Sequence, residues 1–97
     1  GGRTGMVVGE KLWQLGRQHQ VLCVTHLPQL AAYGDQQYKV SKQVEEGRTL
    51  THVQRLDEQG RLDELAQMLG MLSEANRASA QETLELARKR AAQLARK

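Results

Sequence analysis

Residues 20–29 read Gln-Val-Leu-Cys-Val-Thr-His-Leu-Pro-Gln, and this stretch decides the fold class. Its first six residues hold a continuous apolar run that is too short for a helix and rich in β-branched side chains. Such a run is typical of a strand that is covered on both faces, as in parallel sheets. The sequence therefore predicts a buried strand over residues 20–25.

Helical and strand patterns surround this predicted strand. Val8, Leu12 and Leu15 share one face of a helix predicted over residues 4–18, with Thr4 as its N-cap. A short helix is predicted over residues 27–33, with Pro28 in its first turn and Gly34 at its end. Alternating residues 37–44 and the Thr- and Val-rich residues 48–56, joined by a turn at 45–47, predict a β-hairpin.

Two more helices are predicted in the last third of the chain. The first carries apolar residues at helical spacing and is ended or interrupted by Gly70; these residues are Leu62, Leu65, Met68, Leu69 and Leu72. The second begins near Ala75 or Ser79, where Ser79-Ala80-Gln81-Glu82 has the form of a capping box. The predicted order is α–β–α–β–β–α–α, an α/β fold.

The predicted buried strand has no neighbour within the 97 residues. A parallel-type strand needs other strands beside it, and the hairpin is antiparallel and half exposed. One Trp, two Tyr and no Phe also make a thin core for a chain of this length. The Gly-rich opening without an initial Met reads like the inside of a loop. We therefore expect a fragment whose sheet is completed by upstream residues or by another chain.

Composition excludes several classes of protein. The longest apolar stretches are far too short for a transmembrane helix, and no signal peptide opens the chain, so no membrane partner is expected. A single Cys cannot form an internal disulfide, which fits a reducing cytoplasm. The net charge of +3, from 14 basic and 11 acidic residues, permits a nucleic-acid partner without demanding one.

His26 is the sharpest candidate for chemistry. It directly follows the predicted strand, at the carboxyl end, where open α/β sheets bind ligands. An imidazole at this position can hydrogen-bond a phosphate or a water and titrates in the useful range. In the alternative interpretation His26 only ends the strand, and the residue pattern alone favours that alternative.

The other candidates are weaker. His19, Cys23 and His26 are three potential metal ligands within eight residues. On a strand, however, Cys23 lies on the same face as His19 and on the opposite face from His26, so no metal site is expected. Cys23 is interpreted as a buried thiol. The chain ends in a basic tail that comprises Arg88, Lys89, Arg90, Arg96 and Lys97. This tail could bind nucleic-acid phosphates or complement a helix dipole, and the second interpretation is favoured. A short seam is assigned to core packing rather than to a zipper; it comprises Leu84, Ala87, Ala91 and Leu94.

Several segments together resemble one family. These segments are residues 8–15 and 20–32, Lys42, the pair Arg48-Thr49 and residues 61–70. They resemble the C-terminal lobe of the ATPase head in the structural-maintenance-of-chromosomes (SMC) group of ABC-type ATPases. Within that group, the resemblance is to a member that repairs bacterial DNA. The resemblance runs to about Leu84. Residues 25–29 with their flanks are specific for it, and the final helix is much less so.

The resemblance implies a role for each matching residue. His26 is similar to the switch histidine, which senses the γ-phosphate of ATP and helps to position the attacking water. Gly1 and Gly2 look like the tail of the D-loop, which crosses the interface between two heads. Thr25 and Gln29 would flank the switch in supporting roles. The Walker A lysine, the signature motif, the Walker B aspartate and the catalytic glutamate are absent from the sequence and would lie upstream of Gly1.

The resemblance also implies cofactors and partners. ATP and Mg²⁺ would be held mainly by residues outside this chain. The partners would be the N-terminal lobe of the same head, a second head in an ATP-sandwiched homodimer, and DNA. The protein would act in double-strand-break repair and recombination in the cytoplasm, at the nucleoid, and the 97 residues alone would be inactive. The alternative hypothesis is a free-standing DNA- or protein-binding module that uses the basic final helix.

Overall fold

The computed structural model describes residues 2–97, so the D-loop prediction for Gly1 lies outside the described residues. Four helices and two strands follow one another in the order α1 (Gly2–Gly16), α2 (Pro28–Ala31), β1 (Tyr38–Glu45), β2 (Arg48–Arg55), α3 (Glu58–Leu69) and α4 (Glu74–Ala95). The predicted mixture of helix and strand, with a hairpin followed by two C-terminal helices, is confirmed. Within residues 2–97, no helix is both long and apolar enough to cross a bilayer.

The predicted strand over residues 20–25 is not formed in this chain. These residues have no regular secondary structure, and Leu22 and Val24 are 91% and 95% exposed. Cys23 is exposed too, so its interpretation as a buried thiol is wrong. The physical reason is the lack of a partner, since β1 and β2 pair only with each other and leave residues 20–25 no strand to bond with. The observed order therefore lacks the first strand of the predicted one.

Helix α1 begins earlier and buries a different face from the predicted one. It starts at Gly2, so Thr4 is not its N-cap and the opening residues 2–5 are helical rather than a loop. Its buried residues are Gly5 and Gly9, whereas Val8 and Leu15 are 39% and 52% exposed. Of the apolar face predicted to be buried, only Leu12 is partly buried, because little in the described chain packs on that face.

The glycines of α1 let α2 approach closely. A Cβ at Gly5 would lie 3.4 Å from Cβ of Gln29, and a Cβ at Gly9 would lie 2.5 Å from Cδ2 of Tyr33. The second distance is below van der Waals contact, so any larger residue at position 9 must displace the Tyr33 ring. Glycine lowers helix propensity by about 1 kcal/mol relative to alanine, and here it makes room for the segment that follows His26.

The core lies between α3, α4 and α2. Its buried members are mostly small or aliphatic: Ala32, Tyr33, Leu65, Ala66, Ala80, Leu84 and Ala87. Trp13 of α1 is partly buried and packs against them. Leu94 is buried as well, so the assignment of the α4 seam to packing is confirmed. Alanine-rich helix contacts bring the helix axes close together, which suits a chain with few large side chains.

Side chains and one glycine set the ends of α3 and α4. The Asp57 carboxylate accepts a hydrogen bond from the Gly60 amide at 2.7 Å, and Gly70, with φ of 153°, ends α3 as predicted. The Ser73 hydroxyl accepts from the Asn76 amide at 3.1 Å, so α4 begins at Glu74. The predicted capping box at Ser79 is wrong, because the true cap lies six residues earlier and has no Glu or Gln at its third position.

Arg61 joins α3 to the end of α2. Its side chain is buried, and its guanidinium donates to the carbonyl oxygens of Ala31, Ala32 and Gly34 and to Oε1 of Gln37. Burial is the largest cause that lowers the pKa of Arg61, with the nearby Arg88 charge adding to it. Helix ends leave carbonyls short of partners, and Arg61 adds a donor to the last carbonyl of α2 and serves the Ala32 and Gly34 carbonyls that follow it.

The β-hairpin extends from this core. Its two-residue turn has positive φ at Glu46 and Gly47, 50° and 76°, as a type I′ turn requires. Pairing runs from Tyr38 opposite Arg55 to Glu45 opposite Arg48, which confirms the predicted hairpin. The base is held by the Leu56 amide, which donates to the Gln37 carbonyl at 2.9 Å. Both faces of the strands are largely exposed.

Candidate functional site

His26 lies on a bend between the unpaired segment 20–25 and α2, with its side chain exposed. The Thr25 hydroxyl accepts a hydrogen bond from the Leu27 amide at 3.0 Å, which closes a side-chain turn around His26. On the other side, the buried Pro28 opens α2 and restricts the backbone. The backbone of His26 is therefore constrained on both sides while its imidazole is open to solvent, as binding to an external group requires.

Gln29 and Gly2 are brought together. A Cβ at Gly2 would lie 3.2 Å from Nε2 of Gln29, so the glutamine side chain lies across the first turn of α1. Two of the predicted site residues thus contact each other, and Thr25 and His26 form the adjacent turn. Thr25 thus contacts the backbone next to His26, and Gln29 contacts the first turn of α1.

Three contacts fix this region to the core. Tyr33, at the end of the α2 segment, packs on Gly9, and burial is the largest cause that raises the pKa of its hydroxyl, with Glu10 adding to it and Arg90 opposing it. Glu10 of α1 also forms an ion pair with Arg90 of α4. Arg61 holds the end of α2 from the side of α3. The segment that follows the His26 bend is therefore held against α1 and α3, and α1 is in turn joined to α4.

Sequence reasoning missed Arg61 and the pair of Glu10 and Arg90 as positioning residues. Arg61 had a detectable signal, because it precedes Leu65 by four residues and so shares the buried face of α3. A charged residue on such a face needs hydrogen-bond partners and marks a specific contact. The pairing of Glu10 with Arg90 had no such signal, since the two residues are 80 positions apart in the chain.

The described residues do not enclose a nucleotide. One surface cleft, of about 410 Å³, is lined by Gln14, Arg17, Gln18, Leu94 and Lys97. A second, of about 300 Å³, lies around Trp13, Tyr33 and Arg61, and neither is lined by residues 25–29. Among residues 2–97, no three His, Cys, Asp or Glu side chains gather as a metal site. The one feature of residues 25–29 that suits a phosphate is the exposed His26 imidazole on its constrained bend.

The basic tail is partly neutralised. Arg88 donates to both carboxylate oxygens of Glu58 at 2.7 and 2.9 Å, and this hydrogen bond is the largest cause that lowers the pKa of Glu58. Arg90 is paired with Glu10. Two of the five basic residues thus belong to contacts within the fold, so the tail does not offer a continuous phosphate-binding surface.

An exposed apolar surface surrounds the segment before His26. It consists of exposed residues of α1 and of the unpaired segment that follows it, and we call it the apolar surface: Met6, Val7, Val8, Leu15, Val21, Leu22 and Val24. Isolated exposed apolar side chains are ordinary, and the feature of note here is that seven of them fall in two segments close together in the sequence. This surface lies where the sequence predicted that sheet is missing.

Comparison with known proteins gives a consistent relationship. No family model matches the chain. It is 54% identical over 70 residues to the DNA repair protein RecN of Xylella fastidiosa (strain Temecula1), which is 72% of this chain and 13% of that protein. RecN of Vibrio cholerae is 47% identical over 86% of the chain, and RecN of Deinococcus radiodurans is 49% identical over 87%.

The extent of these matches defines what the relationship covers. The chain spans only 13–15% of the length of these relatives, in their C-terminal part. Within the SMC group, residues 25–29 and their flanks resemble RecN in particular, and the comparisons confirm that resemblance. Mixed helix and strand with a hairpin fit part of an SMC-type ATPase head. Over most of its length, this chain is therefore homologous to the C-terminal part of RecN, a bacterial DNA repair protein.

Proposed function

We propose that these residues form the C-terminal lobe of an ATPase head that acts in DNA double-strand-break repair and recombination, with His26 sensing the terminal phosphate of ATP. The observation that carries the proposal is the pairing of two features on adjacent residues. An apolar, β-branched segment without a partner strand ends directly at an exposed histidine on a constrained bend. We call the longer polypeptide that has this sequence as its C-terminal part the complete head.

The exposed segment supports the first step, completion of the sheet. Full burial of a side chain such as Leu or Val contributes about 1.5–3 kcal/mol, and Leu22 and Val24 make almost no use of this in the described chain. In the complete head, residues 20–25 pair as a strand with the N-terminal lobe, which also covers the apolar surface on α1. That pairing places His26 at the carboxyl edge of the completed sheet, where α/β folds bind ligands.

His26 then acts on the phosphate. Phosphoryl transfer depends on positioning and charge stabilisation more than on covalent chemistry by the protein. ATP with Mg²⁺, when bound by residues of the N-terminal lobe, supplies the phosphoryl group and neutralises its charge. His26 hydrogen-bonds a terminal phosphate oxygen and orients the attacking water through its imidazole. Thr25 and Gln29 keep the bend in place through the Leu27 amide and the first turn of α1.

The opening glycines take part in the contact between heads. Gly1 and Gly2 belong to the tail of the D-loop, which passes into α1 at Gly2, and Gln29 against Gly2 links that point to the segment after His26. Two heads that hold ATP between them convert its hydrolysis into opening and closing of attached coiled coils that hold DNA. The proposal places the protein in the cytoplasm, at the nucleoid.

The double substitution Leu22→Ser with Val24→Ser tests completion of the sheet. In the 97-residue chain we expect a change in unfolding free energy within about 0.5 kcal/mol, because both side chains are solvated there. In the complete head we expect a loss of about 2–5 kcal/mol, as for other truncations of buried aliphatic side chains. Urea unfolding of the four proteins gives both numbers.

Leu86→Ser is the matched control for this experiment. Leu86 is 53% exposed on α4, away from the apolar surface, and its replacement should leave both proteins unchanged. A double variant that is neutral in the complete head as well would show that residues 20–25 stay exposed there, and the proposed completion of the sheet would be wrong.

A further inference from the structure

The two faces of the β-hairpin differ in charge. Cross-strand partners point to the same side of an antiparallel pair, so the register divides the strands into two sets of eight side chains. The outer face is Tyr38, Val40, Lys42, Val44, Thr49, Thr51, Val53 and Arg55, and the inner face holds the rest. The inner face includes Ser41, the only partly buried residue of either strand, and so lies towards the body of the fold.

Both permanent cations of the inner face, Lys39 and Arg48, have a carboxylate close by. Lys39 pairs with Glu64 of α3 at 3.2 Å. Arg48 lies directly opposite Glu45, and His52 Nε2 is 3.7 Å from Oε1 of the same glutamate. The positive charges of the inner face are therefore balanced within the fold.

The cations of the outer face have no such balance. Lys42 lies opposite Thr51, Arg55 lies opposite Tyr38, and none of the eight outer side chains is acidic. The Val40, Val44 and Val53 side chains between them are 62–76% exposed. The outer face is thus a positive ribbon of basic, hydroxyl and apolar side chains, turned away from α3.

We propose that the outer face of the hairpin contacts duplex DNA. The proposal rests on the proposed function, which supplies DNA as the partner, and it assigns the contact to residues that have no part in ATP hydrolysis. A two-stranded ribbon fits the major groove, which is about 12 Å wide. Lys42 and Arg55 are four residues apart along the ribbon, roughly 13 Å at 3.3 Å per residue. They can therefore reach phosphates across the groove, with the Thr49 and Thr51 hydroxyls as further donors to phosphate.

Charge favours DNA over the other possible occupants. Exposed valines also suit a protein, but that protein would have to bring carboxylates to both Lys42 and Arg55. A second copy of this hairpin docked face to face would bring unbalanced cations together. A polyanion satisfies both cations and gains affinity by releasing counterions.

The test compares two double substitutions in the complete head. Lys42→Gln with Arg55→Gln removes the unbalanced charges of the hairpin, and Lys89→Gln with Lys97→Gln removes the same charge from the exposed tail of α4. Affinity for a blunt-ended duplex oligonucleotide is measured over a series of salt concentrations. Loss of two phosphate contacts should weaken binding about tenfold or more and reduce the slope of log affinity against log salt by roughly 1.8.

The outcomes separate this inference from the proposed function. The inference holds if the hairpin variant shows these losses and the tail variant binds like the parent protein. Unchanged DNA binding by the hairpin variant overturns the inference, whatever the tail variant does. The outer face would then serve another partner, such as a protein that packs on the valines. ATP hydrolysis without DNA should be unchanged in both variants, so failure of the DNA contact leaves the proposed role of His26 standing. Circular dichroism of both variants checks that the exposed substitutions leave the fold intact.

Discussion

His26→Ala in the complete head is expected to lower kcat for ATP hydrolysis about 100-fold or more, the usual contribution of a side chain that positions or exchanges a proton in the transition state. The imidazole is exposed and makes no hydrogen bond within residues 2–97, so its removal should leave the thermal unfolding midpoint unchanged. Steady-state phosphate release at saturating ATP, measured beside thermal unfolding, gives both values. A fall in kcat without a loss of stability is the pattern that separates a functional histidine from a structural one.

His19→Ala is the control for this substitution. His19 is also exposed and lies in the same connection between α1 and α2, but it precedes the unpaired segment instead of following it. We expect parent-like turnover for this variant. If His26→Ala retains the parent's turnover, or if His19→Ala loses as much, His26 does not sense the phosphate.

Arg61→Met is expected to destabilise the 97-residue chain by about 3 kcal/mol. The substitution removes a buried guanidinium and its hydrogen bonds to the carbonyls of Ala32 and Gly34, and it leaves the Ala31 carbonyl with the Gly34 amide alone. An unsatisfied buried polar group costs about 1–3 kcal/mol, and methionine regains part of the loss by packing. Urea unfolding followed by circular dichroism measures the difference in free energy between the variant and the parent.

Arg77→Met serves as the comparison for Arg61. Arg77 also lies on a helix and pairs with Asp63 at 3.2 Å, but both side chains are substantially exposed. Exposed ion pairs contribute about 0–1 kcal/mol, so this variant should be nearly as stable as the parent. Equal losses from the two variants would mean that Arg61 acts through general charge rather than by holding the end of α2.

Elements that depend on nearby residues could be predicted from the sequence. The hairpin follows from alternation on both sides of a Gly-containing turn, and the end of α3 follows from Gly70. Each of these features is decided within a few residues by backbone conformation. The start of α4 was predicted near Ala75 or Ser79, and the helix begins at Glu74, close to the first of these; the sequence left both open because Ser73 and Ser79 both carry capping side chains.

The strand over residues 20–25 could not be settled in the same way. Its composition indicates a segment that is suited to a buried strand. The strand can form only with hydrogen-bond partners, and the described residues do not provide them. The exposed face of α1 has the same cause, since Val8 and Leu15 have the pattern of a packed face but no cover. Sequence pattern reports what a segment would bury, and only the partner decides whether it does.

The same distinction between local and distant contacts applies to the candidate site. His26 could be selected because it directly follows an apolar segment, which is a local feature. The contact of Gln29 with Gly2, the ring of Tyr33 on Gly9 and the pairing of Glu10 with Arg90 join residues that are distant in the chain. No local pattern encodes those distances, so the supports of the His26 bend emerged only from the structure.

Amide hydrogen exchange at residues 21–25 tests the central claim most directly, because it asks whether this segment becomes a strand of a larger sheet. Exchange is measured in the 97-residue chain and in the complete head under the same conditions. We predict fast exchange in the chain, where these amides are unpaired, and strong protection in the complete head, where they would bond to neighbouring strands. Equally fast exchange in both proteins would contradict the account, since His26 would then stand at the end of a free segment and not at the edge of a nucleotide-binding sheet.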